Sequence, residues 1–213
     1  ENKMDEFKVL IQKSYDFILA LAMPLTVGLI FTSPSVILLL SGESFAPAIL
    51  TSQIVALNIL MVGISGVMGL QVLYPMGRIN IVILCTFIGA VVNVVLNVLL
   101  IPVYGHNGTA VAYMLAEVAV TVSMFIIGRR YIPIQFFKKE HLHYVLGSVC
   151  MGICLYWVLL LELDDFMTLI TMLIVGLMMY ISVILILKDT MGMLFWKIIK
   201  SYLDKCQYKK KLG

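Results

Sequence analysis

The sequence predicts an all-α membrane protein: six transmembrane helices with an interfacial amphipathic helix at each end. Three observations predict it. Hydrophobic residues make up 62% of the 213 and charged residues 13%, about half the charge density of an ordinary soluble domain. The apolar residues fall in blocks of the ~20 residues that cross a bilayer. All 15 Lys and Arg stand in alternate connections between those blocks, which is the pattern that orients membrane helices.

The chain opens on Glu1 rather than Met, which reads as a processed piece or part of a longer chain, and no cleavable leader pattern follows it. In residues 1–16, Met4, Phe7, Ile11 and Tyr15 share one helical face with lysines off it, the pattern of an interfacial segment. A six-helix membrane lobe over 17–188 comes next. Its first span, 17–40, contains Pro24 and Pro34, which remove backbone donors and should bend it. The second, 45–74, is longer than a bilayer needs and has to tilt or project. Gly63, Gly66 and Gly69 stand along it, where a neighbouring helix could approach closely. Gly77 and Arg78 turn the chain into the third span, 79–101, and Pro102, Gly105 and Gly108 mark its return into the fourth, 109–128. A basic connection leads to the fifth span, 142–161, and a short acidic one to the sixth, 166–187. Residues 189–213 read as a second interfacial helix, with Met191, Leu194, Phe195, Ile198, Ile199 and Tyr202 on one face, ending in a basic tail.

Charge fixes the expected orientation. Lys3, Lys8, Lys13, Arg78, Arg129, Arg130, Lys138, Lys139 and everything from Lys188 onward share one side. The three connections on the other side hold only the acids Glu43, Glu162, Asp164 and Asp165. Basic connections stay in the cytoplasm, so both ends of the chain are expected there.

Chemistry is sought where polar groups enter the spans. Glu117 is the one ionisable residue in mid-span, roughly 12 Å deep by helical rise. Asn93 is expected at nearly the same depth in the third span, within reach of Glu117 across a short hairpin, with Asn97 one turn further out on the same face. Two roles fit Glu117: a proton or cation site that couples transport, or a neutral clasp to Asn93. Asn58, Gln53 and Gln71 could line a hydrated path or simply meet other helices, and Arg78 stands at the cytoplasmic mouth between the second and third spans. Cys150 and Cys154 lack accompanying ligands, and His141 and His143 have the wrong spacing for one helical face, so neither a metal site nor a cofactor is implied. Signatures of soluble enzymes are absent, and the basic residues are spent on orientation rather than nucleic acid.

The order of local motifs resembles a known family. Pro24-Leu25-Thr26-Val27-Gly28-Leu29 opens a first helix that Ser41-Gly42-Glu43-Ser44-Phe45 closes. Gly69-Leu70-Gln71-Val72-Leu73, Gly77-Arg78, Gly89 with Asn93 and Asn97, Ile101-Pro102, Tyr104-Gly105 and Gly108-Thr109-Ala110 follow in order. This run is similar to the second lobe of oligosaccharide flippases, in the polysaccharide-export branch of the multidrug/oligosaccharidyl-lipid/polysaccharide exporter superfamily. The resemblance covers residues 1 to about 130. It implies a membrane transporter, not an enzyme, that moves polyprenyl-diphosphate-linked oligosaccharide across the bacterial plasma membrane. It further implies a missing N-terminal six-helix lobe, with membrane lipids and the lipid-linked oligosaccharide as the other partners. A cation-coupled drug exporter of the same superfamily, with Glu117 as the coupling acid, is one alternative. A membrane-embedded glycan polymerase or acyltransferase is another.

Overall fold

A computed structural model describes residues 2–187. The interfacial helix and basic tail expected over 189–213 lie outside the described residues. The described chain is all α-helical, without strands, as expected where no water can satisfy open backbone groups.

Helix α1 runs unbroken over Asn2–Ser41. The amphipathic segment and the first span are therefore one helix, and the apolar face of that segment is used within the protein: Ile11 and Tyr15 are buried in the core, with Phe7 packed against it. Pro24 and Pro34 both lie inside α1. Each proline lacks the N–H that would bond the carbonyl four residues back, here Ala20 and Ile30. Both gaps are filled from other helices. The Tyr180 hydroxyl donates to Ala20 O, and Gln53 Nε2 donates to Ile30 O at 3.1 Å.

The second span, expected over 45–74, is one membrane-length helix over Ala48–Leu73 whose winding changes along its length. A 3₁₀ turn at Glu43–Phe45 leads into α2, Ala48–Ala56, and α3, Asn58–Gly66, and then a π-helical stretch, Val67–Leu73. At Leu57 the backbone stays helical (φ −62, ψ −25), and the winding tightens locally, its N–H bonding Ile54 O at 3.2 Å. Gly63 and Gly69, six residues and so about 120° apart round the helix, face different neighbours. A Cβ on Gly63 would meet Ile18 of α1 at 2.8 Å, whereas one on Gly69 would meet Met124 at 3.3 Å.

Helix α4, Ile79–Gly128, is two spans joined by a fold at Gly105, whose backbone (φ 54, ψ −131) is far from helical. The limbs 79–104 and 106–128 run antiparallel. Gly89 lies against Ala116 O and Val120, and Gly108 against the carbonyl of Leu100; neither pair could touch along a straight helix. Each limb, at about 25 residues, exceeds the ~20 needed to cross a bilayer. With α5, Lys139–Leu159, and α6, Asp165–Ile186, the described residues hold five long apolar helices, which give six membrane-length segments when the two limbs of α4 are counted apart.

Packing is ordered across the bundle. The α5–α6 pair lies on α1; α1 lies on α2 and α3; these lie on α4. Tyr144, Met68, Leu73, Leu155 and Met172 are the largest fully enclosed side chains. Large apolar residues dominate the outside as well, among them Val94, Val98 and Leu99 on the first limb of α4. Such a surface suits hydrocarbon rather than water.

Candidate functional site

The second limb of α4 packs beside α2 and α3 in the same direction, and its register is set by a series of contacts. The Thr51 hydroxyl donates to Asn107 Oδ1 at 2.6 Å. Further along, Thr121 Oγ1 lies 3.3 Å from Met61 O. Gly69 then meets Met124, and Leu73 meets Gly128. Four residues before Thr121 is Glu117; three before Met61 is Asn58. Each shares a helical face with its contacting neighbour, so the register brings Glu117 and Asn58 to one level of the α3–α4 interface.

Both have unspent capacity. Asn58 is buried at 3% exposure, and neither amide atom has a hydrogen-bond partner among the described residues. Glu117 is half-buried, and among the described residues no hydrogen bond to its carboxylate is formed; only its backbone carbonyl is engaged, by Thr121 Oγ1 at 2.8 Å. Buried polar groups are nearly always paired, and an intramembrane acid marks a position where a proton or cation can be taken up.

No direct hydrogen bond joins Asn93 to Glu117 among the described residues. Asn97 Nδ2 donates instead to Asn93 Oδ1 at 3.0 Å and to Asn93 O at 2.8 Å, within one helix. The reason is rotational. The contact face of the second limb carries Gly108, Ala112 and Ala116, all buried, and Glu117 is one residue, about 100°, round from Ala116.

The other candidates separate. Gln53 is bonded to the Ile30 carbonyl, and Asn58 is buried. Gln71 lies half-buried in the π-helical stretch. Arg78 is exposed, its guanidinium 4.5 Å from the centre of the Tyr131 ring, a cation–π contact that ties the turn before α4 to the connection after it. An apolar groove of about 360 Å³ lies between α1, α5 and α6, and none of the seven candidates lines it.

A polar cluster without a motif of its own in the sequence joins α1 to the connection between α4 and α5. Asp16, 7% exposed, accepts from Gln12 Nε2 at 2.7 Å, Lys138 Nζ at 3.1 Å and His141 Nε2 at 2.9 Å. Gln12 also holds the backbone of Gln135, accepting from its N–H at 2.8 Å and donating to its carbonyl at 3.4 Å. Rings of Tyr15, Phe136 and Phe125 pack edge to face around it. The available signal is Asp16 itself, an acid at the mouth of an apolar span, facing a sequence-distant basic connection. Asp16 and Lys138 form an ion pair at 3.1 Å between separate elements, and removing either partner would leave the other charge uncompensated.

The family model for the lipid II flippase MurJ matches residues 1–177. No curated protein matches the chain. The match spans most of the chain, all five of its first spans and the start of the sixth, and the chain belongs to this family of membrane flippases, which are transporters rather than enzymes.

Proposed function

We propose that this member of the lipid II flippase family is the second lobe of a carrier that turns polyprenyl-diphosphate-linked saccharide across a bacterial plasma membrane. The observation that carries the reading is the family match over residues 1–177. The family is named for lipid II, a lipid-linked cell-wall precursor. The motif order from Pro24 to Ala110 resembles the oligosaccharide-export branch. The chemistry common to both is a diphosphate on a long isoprenoid chain, so that is the substrate class. Both ends of the chain stand in the cytoplasm on the strength of the basic connections, and a preceding lobe supplies the facing wall of the cavity. A carrier of this kind works by rocking two bodies about a site between them.

Within this lobe Glu117 is the coupling group and Asn58 its companion. Support comes from their common level and open hydrogen-bonding capacity. Arg78 and Gln71 remain candidates for the cytoplasmic approach; Gln53, Asn93 and Asn97 shape the helices. The test is gradient-driven flipping of a fluorescent polyprenyl-diphosphate saccharide in proteoliposomes. Glu117→Gln is expected to slow gradient-driven flipping by about 10-fold or more, equivalent to ~1.4 kcal/mol, while leaving the thermal unfolding of the protein unchanged. Equal rates with and without the carboxylate would assign Glu117 to packing.

A further inference from the structure

The connection after α4 is short, a turn at 129–131 followed by irregular chain that bends at Phe136 before α5 begins. From residue 134 to 139 burial alternates: Ile134, Phe136 and Lys138 turn inward, and Gln135, Phe137 and Lys139 turn outward. The inward set is held at every step. Ile134 is 8% exposed in the core, Phe136 stacks edge-on with Tyr15 and Phe125, and Lys138 pairs with Asp16. Gln12 grips the backbone of Gln135 from both sides. Phe137, between two residues that turn inward, is 98% exposed. An aromatic ring held wholly outside the protein by neighbours that are all tied down is a presented group, not a loose one.

Its surroundings name the partner. The connection starts where one apolar span ends, at Gly128, and stops where the next begins, at Lys139, so it lies at a bilayer boundary. Arg129, Arg130 and Lys139 beside it are exposed, without an acidic partner among the described residues. Aromatic rings settle at the headgroup level, and neighbouring basic side chains attract anionic lipid.

We propose that residues 129–139 form a membrane-docking finger, in which Phe137 inserts at the headgroup–acyl boundary and Arg129, Arg130 and Lys139 gather anionic lipid around it. The Asp16 cluster is the mount that holds the finger in this posture. The proposal stands apart from any transport activity.

Phe137→Trp reports the insertion, made in the whole chain with Trp157→Phe and Trp196→Phe removing the native indoles. The protein is reconstituted in vesicles of equal phosphatidylglycerol and phosphatidylcholine, with bromine on the acyl chains of one lipid or the other. Bromine is expected to reduce the emission about 2-fold, with brominated phosphatidylglycerol quenching more than brominated phosphatidylcholine. Replacing Arg129, Arg130 and Lys139 by Gln removes the difference between the lipids, and Asp16→Asn weakens the quenching by both. Red-shifted, unquenched emission would place the ring in water or against protein and overturn the insertion. Equal quenching by the two lipids would overturn the anionic preference. A variant that fails to fold is recognised by loss of the cooperative thermal transition, and Phe137→Trp alone, at an exposed position, then decides between insertion and its absence.

Discussion

The Tyr180 hydroxyl of α6 donates to the carbonyl of Ala20 in α1, the acceptor that Pro24 leaves without its helical donor. The bond ties two helices at a point where one of them is open, and it explains how α1 carries a proline through its buried half. Tyr180→Phe leaves that carbonyl unpaired and is expected to cost about 1–2 kcal/mol. Pro24→Ala returns the intrahelical donor, so Tyr180→Phe should cost much less in that background. A double-mutant cycle on thermal or steric-trap unfolding measures the coupling, and additive costs would show that the hydroxyl does not serve the proline gap. Gln53→Leu with Pro34→Ala repeats the logic at Ile30.

The hairpin of α4 supplies a contrast between two glycines. A Cβ at Gly89 would come within 2.2 Å of Val120 Cγ2, a side chain, whereas at Gly108 it would come within 2.6 Å of Leu100 O, which is backbone. Trimming a side chain relieves only the first. Gly89→Ala is therefore expected to be rescued by Val120→Ala. Gly108→Ala should stay destabilised, by roughly 1–3 kcal/mol, whatever occupies position 100. Rescue of both or of neither, read by unfolding in detergent, would contradict the packing described.

Part of this is legible in the chain and part is not. The spans, their alternating basic connections and the two prolines are local features, and the motif order points to the flippase class that the family match shows. What sequence cannot supply is register between segments far apart. Tyr180 and Gln53 fill proline gaps from other helices, and nothing near either residue announces it. Glu117 stands out as the one acid in mid-span, but it forms no hydrogen bond with Asn93 across the hairpin, and the helix register sets it level with Asn58 on a parallel helix. That follows from rotation about the α4 axis, which depth counting ignores. The pairing of Asp16 with His141 is hidden because the basic connection reads as an orientation signal, and the π-helical stretch over Val67–Leu73 has no sequence signature.

Orientation yields a labelling experiment. In a background without the four native cysteines, single cysteines at Glu43, His106 and Asp164 should react with an impermeant maleimide from outside intact cells. Those at Arg78, Lys138 and Lys210 should react only after permeabilisation. External labelling at Arg78 with protection at Glu43 would invert the topology.

The central claim is that this chain is one lobe of a carrier for polyprenyl-diphosphate-linked saccharide. The most direct measurement is translocation of such a lipid, with lipid II and an export oligosaccharide as the two substrates, in proteoliposomes holding residues 1–213 alone or joined to the sequence encoded upstream of Glu1. Alternating access needs two bodies about one site, so the account predicts flipping of one or both lipids by the joined protein and none by the short chain, although the short chain inserts and folds. Robust flipping by residues 1–213 alone would contradict the lobe assignment, and no flipping of either lipid by the joined protein would contradict the substrate class.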